Sequence, residues 1–152
     1  MKFYQTKLFK FFIILFLFFI YLFITAKSYA NSVSTNLTDN IFRLHIIANS
    51  DSTQDQDLKL KVRDSIIEYV EKITSDCTNK DSVISVITEH KNDLYTIANQ
   101  VVKNNGYEYS INIEIGNFYF PTKYYGNISL PNGFYDALKI EIGEAKRTKL
   151  VV

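Results

Sequence analysis

Cysteine occurs once in this chain, at Cys77, so no internal disulfide braces the fold and packing must hold it together. Tryptophan is missing, and only five glycines and two prolines punctuate 152 residues. None of those glycines sits in a phosphate-binding loop, a nucleophile elbow or the fixed position of a calcium loop. No Cys and His spacing fits zinc, so no metal or other cofactor is expected. Charge of either sign is also short of an excess, with 17 basic and 16 acidic residues. Without a basic stripe, nucleic acid is not an expected partner.

What is present is unevenly distributed. Eight of the twelve Phe lie in the first thirty residues. There Lys2, Lys7 and Lys10 precede an unbroken apolar run over residues 11–24, and Ser28-Tyr29-Ala30 follows. A basic start, an apolar middle and a small-x-small exit make residues 1–30 a secretory signal peptide, with cleavage after Ala30. The alternative is an uncleaved anchor associated with the membrane through residues 11–26. The run of 14 residues falls short of the ~20 that cross a bilayer squarely, which favours cleavage. Either form puts the remainder outside the cytoplasm. Without the leader, 13 basic and 16 acidic residues remain in one domain.

Residues 31–40 are polar and read as a flexible lead-in. The chain is then organised around residues 41–64. Phe42, Leu44, Ile46 and Ala48 alternate with Arg43, His45 and Ile47, a half-buried strand carrying a basic pair. Asn49-Ser50-Asp51-Ser52 breaks that strand, and Thr53 with Gln56 has capping-box spacing for a helix. Leu58, Val62, Ile66, Tyr69, Val70 and Ile73 stripe this helix at steps of three and four. A second helix is predicted over residues 81–103, with Val83, Ile87, His90, Leu94, Ile97 and Val101 on its seam. His90 there reads as a core or boundary histidine. Residues 107–115 alternate cleanly as a strand, Gly116-Asn117 reads as a turn, and Pro121 marks the next run as an edge or a bend. Leu138, Ile140 and Ile142 form the last strand. The expected architecture over residues 41–146 is α+β: two amphipathic helices packed on one face of a mostly antiparallel sheet, in the order β-α-α-β-β-β.

The residues offer little chemistry. His45 with Asp51 has the makings of an acid/base pair, but no third group orients it, and no catalytic residue is assigned. By composition and pattern alone, this is an exported α+β binding or signalling module.

Longer ordered motifs go further. Arg43-Leu44-His45-Ile46-Ile47-Ala48-Asn49-Ser50-Asp51-Ser52, then Asp55-Gln56 and Leu58-Lys59-Leu60-Lys61-Val62-Arg63-Asp64, resemble the signature of the stage II sporulation protein R family. Phe120-Pro121-Thr122-Lys123, Tyr125-Gly126, Leu130-Pro131, Gly133, Tyr135, Ala137-Leu138 and Ile142-Gly143-Glu144-Ala145 are similar to its second half, in order. The resemblance implies a signal rather than an enzyme. Members are exported from the forespore of endospore-forming bacteria into the space shared with the mother cell. There they trigger a membrane-embedded aspartic protease that cleaves the precursor of the mother-cell sigma factor sigma-E. On that reading the partner surface is Arg43, His45, Asn49, Ser50, Asp51 and Asp55, beside the loop carrying Lys123 and Tyr125. The plain alternative is that Arg43, His45, Asn49 and Asp51 tie strand to helix. Members usually continue into a Trp-Trp-Cys segment and an apolar tail, whereas residues 147–152 read Arg-Thr-Lys-Leu-Val-Val, so a short form is expected. The remaining rivals are an exported hydrolase, for which no site is visible, an exported binding or structural envelope protein without signalling activity, and an inactive truncated copy.

Overall fold

The computed structural model describes residues 2–126 and 128–145, in two units that divide between Thr38 and Asp39. The expected tail at 147–152 lies outside the described residues. The first unit is one helix, α1, which spans Lys2–Asn40 and so crosses the unit boundary by two residues. Its segment Lys7–Tyr29, 23 residues, is long and apolar enough to cross a membrane by length and composition. As a helix it measures about 34 Å against a hydrocarbon core of about 30 Å. A secretion leader has the same character. Thr25 turns its hydroxyl back to the carbonyls of Tyr21 and Leu22, both at 3.0 Å, so that polar group is satisfied within the helix. Residues 31–40, predicted to be a flexible lead-in, are helical. Polarity alone does not stop a helix, and the first glycine or proline of the chain is Gly106.

In the second unit, β1 (Phe42–Ile47) is followed by α2 (Thr53–Ile73), α3 (Lys80–Glu89) and α4 (Lys91–Asn104). Then come β2 (Ile111–Phe120), β3 (Lys123–Tyr125), β4 (Ile128–Leu130) and β5 (Gly133–Ile142). The main sheet has the order β1-β5-β2, and β3 and β4 pair separately. β2 with β5 and β3 with β4 are antiparallel, while β1 joins β5 in parallel. This is the α+β class expected from the sequence, with the first strand among the described residues laid beside the last.

The strand period of two sorts the sheet into two faces. Leu138, Ile140 and Ile142 of β5, with Ile111 and Ile113 of β2, meet Leu58, Val62 and Ile66 of α2 and Leu94, Ala98 and Val102 of α4. Each fully buried aliphatic side chain contributes roughly 1.5–3 kcal/mol, which seats the three helices on that face. The opposite face carries a smaller cluster, Phe120, Tyr135 and Ala137, with Ile41 and Phe118 against it.

Three boundaries differ from the sequence reading. The helix predicted over 81–103 is interrupted at His90, whose φ and ψ of −91 and 17 depart from helical values. His90 is not a seam residue. Its Nδ1 lies 2.8 Å from Asp93 and 3.1 Å from the Tyr69 hydroxyl, which itself donates to Asp93 at 2.8 Å. The break lets α4 turn Leu94, Ala98 and Val102 inward, with Ile97 and Val101 only partly buried. β2 begins at Ile111 rather than Tyr107, because its partner β5 ends at Ile142, opposite Ile111. Gly116 is not a turn but pairs with Ala137 in mid-strand, and β2 continues until Pro121 removes a backbone donor.

One polar tie locks α3 to the sheet. Asp136 of β5 accepts from Asn117 Nδ2 at 3.0 Å and from Lys80 Nζ at 2.6 Å. Together, Asn117 first, these hold its carboxyl below the usual aspartate range. Asp136→Ala is expected to lower unfolding free energy by about 1–2 kcal/mol in urea titrations, since Lys80 and Asn117 lose a half-buried acceptor.

Candidate functional site

The residues singled out from the sequence fall into two places. The first is the switch from β1 into α2. Ser52 is the N-cap, and its hydroxyl accepts from the Asp55 amide at 3.2 Å, so the cap falls one residue before the predicted Thr53. Gln56 instead donates from its side chain to the Ser50 carbonyl at 2.8 Å. Asp55 is buried at 5% exposure and accepts at Oδ2 from Ser50 Oγ at 2.6 Å and Asn49 Nδ2 at 3.1 Å. Burial alone would raise this carboxyl. Hydrogen bonds from Ser50, Asn49, Tyr109 and Ser52 outweigh it and leave the pKa below the usual range. Tyr109 is raised in turn, by burial and by the same bond to Asp55.

The end of β5 closes this knot. The Glu144 amide donates to Asn49 Oδ1 at 3.0 Å, and the Gly143 amide donates to the Ser110 carbonyl at 2.8 Å. A Cβ on Gly143 would stand 2.2 Å from Asn49 Oδ1, so the approach needs glycine, as does its φ of +66. Asn49, Ser50 and Asp55 therefore tie strand to helix and helix to sheet. Of the four residues singled out in this turn, Asp51 alone is exposed.

The second place is a groove of about 430 Å³ on the sheet face turned away from the helices. It gathers Arg43 and His45 of β1 with Phe120, and with Lys123 and Tyr125 of β3. The Arg43 guanidinium lies 4.1 Å from the Phe120 ring centroid and 4.9 Å from that of Tyr135. Such stacking stabilises a cation whose hydration is partly removed. Its Nη1 is buried with no hydrogen-bond acceptor among the described residues. His45 packs edge-on against Phe120, with centroids 5.3 Å apart. Lys139, at the groove wall, is committed to Glu114 at 2.7 Å and Glu141 at 3.2 Å.

The two places are not adjacent. Phe120 pairs with Gly133 at one end of β5, and Asn49 meets Gly143 just past the other. At roughly 3.3 Å per residue Phe120 and Asn49 are about 30 Å apart, while the near wall of the groove, at His45 and Lys139, stands about 13 Å from the turn. The turn at 49–55 is therefore not beside the Lys123 and Tyr125 loop, contrary to the sequence expectation. Among the described residues no three His, Cys, Asp or Glu gather as a metal site. Tyr109, Gly143, Phe120 and Tyr135 complete the two clusters, and local pattern gave no hint of these four contacts.

Residues 38–149 match the model of the family described as stage II sporulation protein R. The chain belongs to the stage II sporulation protein R family. It is 36% identical over 107 residues to the stage II sporulation protein R of Bacillus subtilis (strain 168). That alignment covers 70% of this chain and 48% of the relative, so the chain spans about half the length of the curated protein it matches. No solved structure matches. In this stage II sporulation protein R domain the two halves of the sequence signature meet twice. Asn49 meets Gly143-Glu144 at one end of the sheet, and Arg43 meets Phe120 and Tyr135 at the other.

Proposed function

We propose that this chain is an exported sporulation signal that works by being bound. It activates a membrane-embedded aspartic protease, which then processes the sigma-E precursor in the mother cell. Membership of the stage II sporulation protein R family is the observation that carries this reading. The apolar helix Lys7–Tyr29, suited to a leader or an anchor, is consistent with it. So is the division of the expected site residues. Asn49, Ser50 and Asp55 are spent on the fold, which leaves Arg43, His45, Lys123 and Tyr125 in the groove, with Asp51 at the exposed tip, as the surface for a partner.

The test is reconstitution in a non-sporulating host. This chain is co-expressed with the protease and the sigma-factor precursor, and precursor cleavage is followed by immunoblot, with a longer family member run in parallel. Cleavage that requires this chain is the expected result, reduced several-fold by Lys123→Glu with Tyr125→Ala. If the longer member triggers cleavage while this chain, exported in equal amount, does not, it is an inactive copy and the proposal is wrong.

A further inference from the structure

β1 ends the sheet. In the order β1-β5-β2 its backbone is bonded on one side to β5, and among the described residues no strand pairs with its other side. Such an edge is a template for another strand, and proteins usually blunt it with proline, a bulge or outward-pointing lysine. The six residues of β1, Phe-Arg-Leu-His-Ile-Ile, contain neither proline nor lysine. The arginine of β1, Arg43, is drawn over Phe120 and Tyr135 rather than left to guard the edge.

The two sides of this edge differ in chemistry. Toward the helices, Phe42 and Leu44 line an apolar groove of about 460 Å³ with Ile67, Val70, Val83 and Cys77. Away from the helices, Arg43 and His45 line the aromatic and cationic groove with Lys123 and Tyr125. Alternate residues of an added strand would therefore meet an apolar wall and a basic one in turn. Arg43 Nη1 is buried without an acceptor, so its charge is not neutralised by a hydrogen-bonded partner and lends this wall a positive potential that favours an acidic residue nearby. The far edge, β2, offers the opposite character, with Asn112 and Glu114 exposed on the corresponding face.

We infer that β1 is a docking edge that takes an extended segment of a partner protein, alternating apolar and acidic residues, as a fourth strand. The inference rests on the reading of this domain as a bound signal and names the chemistry of what binds it. Backbone pairing supplies affinity, and the two grooves select the alternation.

The probe is a blocked, fluorescein-labelled seven-residue peptide alternating valine and glutamate, added to the full chain in non-ionic detergent micelles. A valine and lysine peptide is the counterpart. Anisotropy is expected to show the glutamate peptide binding at least about tenfold more tightly, as like charges meet at Arg43 and Lys123 in the other case. Lys123 is exposed, so Lys123→Glu should weaken binding by about threefold without changing thermal unfolding. N-methylation of one alternate set of peptide amides should abolish binding, and of the other set spare it, because an added strand uses only one of its edges. Amide exchange should slow in β1 and not in β2. Equal affinity for the two peptides, equal effects of both methylation sets, or protection at β2 would each overturn strand addition. These outcomes are independent of the protease. Cleavage in the reconstituted host with a negative peptide result rejects the docking edge and leaves the activator reading standing. Peptide bound along β1 without cleavage does the reverse.

Discussion

Gly143→Ala is expected to destabilise the domain by at least about 3 kcal/mol, read as a fall in urea midpoint with an unchanged slope. Two costs combine. A non-glycine residue held at φ +66 costs about 1–2 kcal/mol by itself. The added methyl also meets Asn49 Oδ1 at 2.2 Å and Asn49 Cβ at 2.9 Å, so no rotation of the Asn49 amide relieves it. Asn49 must move, and its bonds to the Glu144 amide and to Asp55 go with it, at about 1–3 kcal/mol for a polar group left unpaired. Gly106→Ala separates the two costs. Its φ is +82, but a Cβ there meets nothing within 4 Å, so only the backbone cost of about 1–2 kcal/mol should appear. Equal losses for the two variants would mean that the contact between Gly143 and Asn49 does not hold the end of β5.

Asp55→Ala is expected to cost about 3 kcal/mol, because Ser50, Asn49 and Tyr109 all lose the acceptor they share. The same group sets part of the acid sensitivity. Its pKa in the folded state is below the unfolded value of about 3.9. Its ionised form therefore contributes stability that is fully present above that value and is lost as pH falls through the lower, folded pKa. Asp55→Asn should be less stable than the parent at neutral pH, with a shallower decline in urea midpoint below about pH 4. Asp136 and Glu114 are depressed as well, by Asn117 and Lys80 and by Lys139 and Asn112, so a slope should remain. Parallel acid profiles for parent and variant would remove Asp55 from the centre of the knot.

The switch from β1 to α2 was legible because its causes are local. Four consecutive residues that favour turns and caps stand between a period-two run and a period-3.6 run. Two neighbouring hydroxyls, Ser52 and Thr53, are equally suited to cap a helix. Only the contacts of Ser50 and Asp55 decide between them, which is why the cap lay one residue early. The interruption at His90 was hidden because the apolar spacing of four and three runs through it unchanged, while its partners Tyr69 and Asp93 are side-chain contacts. The span of β2 was misjudged at both ends because it is set by β5. Tyr107 and Tyr109 alternate as well as any strand residue, but β5 has ended before it could pair with them. The groove was half legible. Arg43, His45, Lys123 and Tyr125 could be picked out, but the rings that hold Arg43 stand on Phe120 and Tyr135, at the far end of the sequence.

The middle strand of the sheet is the last one among the described residues. Both β1 and β2 bond to β5 and neither bonds to the other, so no part of the main sheet can assemble until residues 133–142 have been synthesised. A nascent chain that lacks them has helices without the sheet they cover, and β1 must wait about ninety residues for its partner. Such a high contact order makes folding late and slow. A polypeptide that stays unfolded until residue 142 has been made remains, up to that point, narrow enough to be threaded through a pore.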